Sequence, residues 1–318
     1  MRKVSFVLVL CLLCALFCGC ISVQTGKAST KGSLYIVCTA SPQYDFIKNI
    51  AGDRVTIEML VPEGTDTHNF GLKDISISKL NRLADADLVV YVGGESDEKL
   101  ITELRSVLTE KTSFVSLLSM IEEPLFAANS GDHSHDDGHD HTSLYDEHVW
   151  TSPKRAMVLV ETLAEQLGSM DQEGKERYQK AAKAYIEKLR VLDEKLENVI
   201  DGAKHDTLIL ADRHPFRYFC HDYRLLAEAA FAGCSSEVEP SLAVLDALYE
   251  RAKTLNLPAI LYMEGSNPAY AQSIAEKLGC KALMLHSCHV FEEDESYLAL
   301  MEKNITVLIT ALDAKIGE

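Results

Sequence analysis

The sequence predicts an α/β fold of two lobes, each with a mainly parallel sheet flanked by helices, joined by one long rigid helix. Short apolar runs alternate with amphipathic stretches along most of the chain, a pattern typical of parallel sheets with helical crossovers. A helical stripe of about six turns then divides this pattern into two similar halves.

The first half contains the predicted strands and helices of one lobe. Each predicted strand is a short apolar run, and each predicted helix has apolar residues three or four positions apart. Ser152 and Pro153 mark the start of the last of these helices, because serine caps helices well and proline suits the first helical position. The predicted strands cover residues 34–39, 55–61, 87–93 and 113–118, and the predicted helices cover residues 43–52, 74–86, 97–108 and 152–170.

The helical stripe recurs at alternating steps of four and three residues and ends at Gly202. It predicts one helix within residues 171–203, roughly 45 Å long at 1.5 Å per residue. Two interpretations remain open, a short coiled-coil dimer or a single helix that lies along both lobes. The stripe consists of Tyr178, Ala182, Tyr185, Leu189, Leu192, Leu196 and Val199.

The second half repeats the alternation of strands and helices. We therefore expect an N-terminal lobe over residues 34–170, a linking helix over residues 171–203 and a C-terminal lobe over residues 204–318. The second lobe has predicted strands at residues 207–212, 226–233, 259–265 and 282–287, and predicted helices at residues 241–256 and 267–279.

The N-terminus predicts export from the cytoplasm. Arg2 and Lys3 precede an uncharged apolar run of about sixteen residues, which is shorter than the ~20 residues of a membrane-spanning helix. Gly19 and Cys20 close this run in the manner of a bacterial lipoprotein box. We predict a signal peptide at residues 1–19, lipid attachment at Cys20 and a polar tether over residues 20–33. An uncleaved anchor is the alternative, and it also places the body outside the cytoplasm.

Charge and cysteine content exclude several kinds of partner and leave the disulfides open. The net charge of -17 argues against nucleic acid and against a basic membrane-binding surface, but it is compatible with attracting cations. Beyond the signal region the number of cysteines is odd, so at most two pairs can form and at least one thiol stays single. The pairing cannot be assigned among Cys38, Cys220, Cys234, Cys280 and Cys288.

A histidine-rich loop is predicted over residues 129–147. The stretch from residue 131 to residue 150 holds five histidines and six carboxylates, and a segment this polar cannot bury apolar surface. Neutral imidazoles beside carboxylates favour a borderline divalent cation, although a solvated acidic loop or a pH-sensitive loop has the same composition. The candidate accessory ligands are His133, His135, His139 and His141.

Four isolated histidines occupy comparable places in the two lobes. His68, His214 and His286 each lie at or just beyond a predicted strand, and His148 lies just before a predicted helix. In α/β lobes the ligand crevice lies beyond the carboxyl ends of the strands. Two of these histidines come from each lobe, which predicts a metal site between the lobes.

Several segments, in their order along the chain, carry a family resemblance. They are "VPEGTDTHNF", "YDEHVWTSPKRA", "LADRHPFRYFCHDYRLL" followed by "EVEPS", and "KALMLHS". This set resembles the metal-binding lipoproteins of ABC transporters, the ZnuA/TroA type of solute-binding protein. The resemblance implies two α/β lobes joined by a long helix, with one zinc or manganese ion bound between them by His68, His148 and His214. A histidine at the third of these positions implies zinc in that family.

The chain departs from the family pattern at the fourth ligand. His286 stands where relatives typically place an aspartate, and a shell of four histidines would leave the +2 charge of the metal to be offset by its surroundings. Glu264, His289 and water are the alternatives, in that order.

Other classes of function are less favoured. The sequence has no H-E-x-x-H, no G-x-S-x-G and no glycine-rich phosphate loop, so we predict no enzyme. A metal-sequestering surface adhesin is the remaining alternative. We predict a monomeric receptor, lipid-anchored at the cell surface or in the periplasm, that passes Zn²⁺ to an ABC permease and its ATPase. Mn²⁺ ranks second, because it binds nitrogen ligands more weakly than Zn²⁺.

Overall fold

The computed structural model describes residues 33–62, 65, 70–124, 145–231, 239–292 and 294–315. Residues 34–318 form one compact unit. Within the described ranges, no helix has the length and apolar character needed to cross a membrane.

The first sheet is parallel and follows the predicted strands, although each strand is shorter than its apolar run. Its described strands are β1 (Tyr35–Cys38), β2 (Thr56–Met59), β3 (Leu88–Tyr91) and β4 (Ser113–Ser116), in the spatial order β2-β1-β3-β4. Ile36 pairs with Ile57 on one side and with Leu88 on the other, so β1 is an inner strand. The helices between these strands are α1 (Ser41–Ala51), α2 (Ile77–Leu83) and α3 (Glu95–Val107).

Two long helices connect the sheets, α4 (Pro153–Met170) and α5 (Lys175–Asp201). At 1.5 Å per residue α5 is about 40 Å long. All seven residues of the predicted stripe are buried, because α5 packs against α1, α4 and the C-terminal helix of the same chain. The interpretation of a helix that lies along both lobes is therefore correct, and the stripe needs no second chain to cover it.

The second sheet repeats the topology of the first. Its described strands are β5 (Thr207–Leu210), β6 (Leu226–Ala229), β7 (Ala259–Met263) and β8 (Lys281–Leu285), in the parallel order β6-β5-β7-β8. The accompanying helices are α6 (Arg217–Asp222), α7 (Leu242–Leu255), α8 (Ala269–Leu278) and α9 (Tyr297–Ala311). The largest cluster of buried apolar side chains includes residues of both sheets and of α5.

The sequence pattern does not predict α6 or α9. With only six residues, α6 is too short to show a period. α9 packs one face against α5, β7 and β8, and the half-buried Leu298, Val307 and Ile309 beside that face blur its apolar period in the sequence.

The start of α4 confirms one prediction and corrects another. Pro153 is the first helical residue and Ser152 occupies the N-cap position. The Ser152 hydroxyl does not cap the helix, because it donates a 2.6 Å hydrogen bond to Oδ2 of Asp222.

The described cysteines are all free thiols. Cys38, Cys220 and Cys288 are buried, and Cys280 is half-buried. Burial raises the pKa of the Cys220 thiol to about 12. Cys234 lies outside the described residues.

Candidate metal centre

His148 is almost completely buried, with 1% of its surface exposed, and precedes the short 3-10 helix Val149–Thr151. Oδ1 of Asp146 accepts a 2.9 Å hydrogen bond from the His148 backbone N–H and lies 3.1 Å from Nδ1 of the ring. Because a carboxylate oxygen only accepts, Nδ1 of the ring carries a proton. A carboxylate that orients an imidazole in this way is typical of metal-binding histidines.

Asp146 is itself fixed by α6. Its backbone carbonyl accepts a 2.8 Å hydrogen bond from the Tyr218 hydroxyl, and its Oδ2 lies 3.8 Å from Nε of Arg217. The carboxylate that orients His148 is therefore held from the second sheet's side of the molecule.

His214 lies between β5 and α6. The pKa of His214 is lowered to about 4, mainly by burial and also by the positive charge of Arg217 and by His148, while Asp146 opposes the shift. The ring is therefore neutral at pH 7, and its Nδ1 is buried without a hydrogen-bonding partner among the described residues. A neutral imidazole with an unsatisfied nitrogen is suited to a cation.

Glu264 holds the loop that follows β8. Both of its carboxylate oxygens accept from the Ser287 backbone N–H, at 3.0 and 2.8 Å, and Oε1 also accepts from the Ser287 hydroxyl at 2.5 Å. Burial raises the pKa of Glu264, and the Ser287 hydrogen bonds oppose this rise. Cys288 follows with a φ of 58°, a left-handed conformation that turns the chain before His289. Glu264 is thus engaged in fixing the loop.

Trp150 is fully buried between two histidines. Its ring centroid lies 5.4 Å from that of His148 and 5.3 Å from that of His289, and the two imidazoles are 6.0 Å apart. The indole Nε1 donates a 3.0 Å hydrogen bond to the Ser287 carbonyl, and the Trp150 carbonyl accepts a 2.7 Å hydrogen bond from the Tyr297 hydroxyl. Trp150 therefore joins the segment of His148 to the loop after β8.

His286 has different surroundings. Asn304 donates to its backbone carbonyl and accepts from its backbone N–H, both at 2.8 Å. Burial lowers the pKa of His286, and Lys303 lowers it further while Glu295 opposes the shift. The charged groups that act on this ring thus lie on α9 and the segment before it.

A cavity of about 400 Å³ adjoins these side chains. Both histidines of the loop after β8 contribute to its wall, so the cavity does not distinguish them. Its lining includes His148, Arg213, Glu264, His286, His289 and Lys303.

The sequence-predicted residues have different outcomes. His68, Cys20, His133, His135, His139 and His141 lie outside the described residues. Within the described ranges, no three His, Cys, Asp or Glu side chains are close enough together to hold a metal ion. The structure therefore brings His148 near His289, without completing a cluster from the described residues alone.

Three residues organise the site in ways that the sequence does not predict, Asp146, Trp150 and Ser287: the contact of Trp150 with His148 is expected from their closeness in sequence, but its hydrogen bond to Ser287 is not. A weak signal exists for the first, because "DEH" places a carboxylate two residues before His148. The second is the only tryptophan in the chain, but its partner lies 137 residues further on.

The comparisons with known proteins agree with this fold. The ZnuA family model, described as "Zinc-uptake complex component A periplasmic", matches residues 36–311. The chain belongs to the ZnuA family. Membership confirms the resemblance that the histidine motifs carry, and the family is described as an uptake component, in agreement with the prediction that the chain is not an enzyme.

Two curated relatives in the ZnuA family extend over almost the whole chain. The zinc-binding lipoprotein AdcA of Streptococcus pneumoniae serotype 4 is 34% identical over 98% of this chain and 62% of AdcA. The high-affinity zinc uptake system protein ZnuA of Bacillus subtilis strain 168 is 29% identical over 98% of this chain and 97% of that protein. The chain therefore spans less than two thirds of the length of AdcA.

A solved structure with the ZnuA fold shows the same architecture. The crystal structure of the Zn(II)-bound ZnuA-like domain of Streptococcus pneumoniae AdcA has a TM-score of 0.69 and 31% sequence identity, and the match covers 89% of this chain and 100% of that domain. This similarity confirms the predicted fold class of two lobes with parallel sheets.

Proposed function

We propose that this chain is the extracytoplasmic solute-binding component of an ABC transporter, which captures Zn²⁺ and delivers it to a membrane permease and its ATPase. The names of the AdcA and ZnuA relatives refer to zinc binding and zinc uptake. The net charge of -17 favours attraction of a cation and disfavours nucleic acid as a partner.

One observation carries the proposal, the buried Nδ1 of His214, which has no hydrogen-bonding partner among the described residues. Burial keeps this ring uncharged at pH 7, so it does not need to lose a proton when it binds a divalent ion. Asp146 lies within hydrogen-bonding distance of Nδ1 of His148 and orients that second ring.

The proposed ligands are His68, His148, His214 and one histidine from the loop after β8. Imidazole nitrogens bind Zn²⁺ at about 2.0–2.1 Å in a tetrahedral arrangement. We prefer His289 to His286 for the fourth position, because the His289 ring lies 6.0 Å from His148 while the groups acting on His286 are Lys303 and Glu295. We include His68 among the ligands because it lies in the motif "VPEGTDTHNF", which follows β2 along the chain.

Zinc is favoured over manganese by the chemistry of this set. Nitrogen ligands bind Zn²⁺ more strongly than Mn²⁺, whereas oxygen ligands suit Mn²⁺. The charge of the ion is offset by nearby carboxylates, Asp146 behind His148 and Glu264 behind Ser287. Asp146 is buried, where its attraction to the metal is screened less than at the surface.

We place the protein outside the cytoplasm, attached to the bacterial membrane through lipid on Cys20 and acting as a monomer. The basic start, apolar run and Cys20 of the N-terminus support the export and the anchor. The burial of the α5 stripe within the chain supports the monomer.

The test is a titration of the full-length chain, in detergent, with zinc alone, with manganese alone and with both in competition. We expect one tight zinc site and weaker manganese binding. Single alanine variants of His68, His148 and His214 should each weaken the tight site by at least about tenfold. His205→Ala is the matched control, because His205 precedes β5 whereas His214 follows the other end of that strand.

The ligand assignment is wrong if the three variants retain wild-type affinity for zinc. Tighter binding of manganese than of zinc would change the proposed cargo. Tight zinc binding with no transfer to the transporter would instead favour a sequestering surface protein.

A further inference from the structure

Asp222 joins two of the described segments that carry proposed ligands, those of His148 and His214. It is the last residue of α6, eight residues after His214, and its side chain is only 10% exposed. Its Oδ2 accepts from the Ser152 hydroxyl at 2.6 Å and from Nε of Arg155 at 3.0 Å. Its Oδ1 accepts from Nη2 of Arg155 at 3.1 Å and lies 2.9 Å from Nδ1 of His221. Ser152 and Arg155 begin α4, directly after the segment of His148.

The charge on Asp222 is retained in this setting. Burial alone would raise the pKa of Asp222, but the hydrogen bonds from Arg155, Ser152 and His221 outweigh it, so the pKa is lowered and the carboxylate is ionised. The two bonds from Arg155 form a bidentate pair, which fixes direction as well as distance.

Arg155 is also fixed on its other sides. Its guanidinium lies 4.8 Å from the centroid of the Tyr218 ring, and its Nη1 donates a 3.0 Å hydrogen bond to the Glu123 carbonyl. The Tyr218 hydroxyl in turn donates to the carbonyl of Asp146, the residue that orients His148. α6 therefore contacts the 146–155 segment at two points, through Tyr218 before His148 and through Asp222 after it.

We infer that Asp222 is a positioning residue for metal capture: with Arg155 and Ser152 it holds the start of α4 against α6, and so fixes His148 relative to His214 before the metal arrives. This inference rests on the proposed function. Ligands that are already held in place lose less freedom on binding, and this raises affinity without any new contact to the ion.

The chain offers a matched control in a second bidentate pair. Arg54 donates to both oxygens of Asp171, at 2.5 and 2.8 Å, and the Tyr178 hydroxyl donates to the same carboxylate at 2.6 Å. The side chains of this pair are 29% and 13% exposed, against 14% and 10% for Arg155 and Asp222. The control pair joins the turn after α1 to the turn between α4 and α5, and neither segment carries a proposed ligand.

The experiment compares Asp222→Asn, Arg155→Lys and Asp171→Asn in the full-length chain. Three quantities are measured: the zinc dissociation constant, the midpoint of urea unfolding without metal, and the hydrogen exchange of peptides covering residues 145–155 and 214–223 without metal. We expect Asp222→Asn and Asp171→Asn to lower the urea midpoint similarly. Only Asp222→Asn should weaken zinc binding, by about tenfold, and speed exchange in both peptides. The zinc affinity and the exchange rates of Arg155→Lys should lie between those of Asp222→Asn and the wild type. This variant can therefore replace Asp222→Asn in the comparison if Asp222→Asn does not fold.

The outcomes separate this inference from the proposed function. Equal zinc affinity in the Asp222 and Asp171 variants, or unchanged exchange in both peptides, would reduce Asp222 to a stabilising residue while leaving the zinc site intact. A wild-type chain that binds no zinc would overturn the proposed function, and the exchange data would still decide whether Asp222 holds the two segments together.

Discussion

The indole nitrogen of Trp150 donates a 3.0 Å hydrogen bond to the carbonyl oxygen of Ser287, and both residues are buried. This bond crosses from the segment that carries His148 to the loop that carries His289. Because Ser287 is also held by Glu264 from the end of β7, the bond connects both sides of the candidate metal centre. The position of His289 relative to His148 therefore depends on Trp150.

Trp150→Phe tests this connection. Phenylalanine keeps an aromatic ring between the two imidazoles but leaves the buried Ser287 carbonyl without its donor, which costs about 1–3 kcal/mol. We expect the free energy of unfolding to fall by that amount and the zinc affinity to fall roughly tenfold. Urea unfolding in the presence of a chelator and competition titration with a zinc dye measure the two effects.

Tyr297→Phe is the control for Trp150→Phe, since it removes the hydroxyl that donates to the Trp150 carbonyl but leaves Ser287 paired. Tyr297→Phe should lower the free energy of unfolding about as much as Trp150→Phe does, but it should lower the zinc affinity less. Wild-type zinc affinity in Trp150→Phe would show that the indole stabilises the fold without positioning the ligands.

The identity of the fourth ligand is the second prediction. His289→Ala should weaken zinc binding by at least about tenfold, and His286→Ala should have a smaller effect, because only the His289 ring is packed beside Trp150 and His148. The loss of zinc affinity in Glu264→Gln should lie between the losses in these two variants, since this change disturbs the Ser287 loop without removing a ligand. The zinc dissociation constants decide this order, and a larger loss in His286→Ala would return the fourth position to His286.

The fold was largely predictable because its strands and helices have strong periods. The eight apolar runs became eight parallel strands, and the α5 stripe became the buried face of a helix in contact with both α1 and α9. What the sequence could not decide was whether that stripe is covered by a second chain or by the same chain, because an apolar stripe has the same pattern in both cases.

The site was less predictable because its details depend on loop geometry and on distant contacts. His286 ends an apolar run and so resembles a strand-end ligand, whereas His289 lies beside Trp150 beyond a turn in which Cys288 adopts a positive φ. Ser152 precedes a proline like an ordinary helix cap, yet its hydroxyl serves Asp222, 70 residues further on. No local pattern reports such partners.

The third prediction concerns the pH dependence of stability through His214. The folded-state pKa of His214 is about 4 and its ordinary value is 6.5, so between these values the unfolded chain binds more protons than the folded chain. The contribution of His214 to stability is therefore complete above pH 6.5 and is lost as the pH falls towards 4. The slope reaches at most about 1.4 kcal/mol per pH unit.

Comparison of the wild type with His214→Asn isolates this effect. Urea unfolding of both proteins without metal, from pH 4.5 to pH 7.5, should show the wild type losing stability relative to the variant on acidification. Parallel curves would mean that His214 titrates at its ordinary pKa and is not held in a buried, neutral state.

The last prediction concerns the histidine-rich loop, which begins and ends next to fixed residues. Before it, the Glu123 carbonyl accepts from Arg155, and at its C-terminal end Asp146 is held by Tyr218 and in turn holds His148. The ordering of His148 is therefore provided by contacts with α6 and Asp146, and none of these contacts involves the four loop histidines.

Deleting residues 129–143 should remove weak zinc equivalents and leave one tight site. His133, His135, His139 and His141 alternate with Asp, Ser and Gly, so a metal bound there must also order the chain, at roughly 1–2 kcal/mol for each residue fixed. His148 lies beyond the deletion and is already in place, so it should keep its affinity. Calorimetric titration of the full-length and deleted chains with zinc measures the number of equivalents and the affinity of each class. If a folded deletion variant lacks the tight site, then the loop supplies ligands to the metal centre itself, and its role as an accessory collector of zinc is wrong.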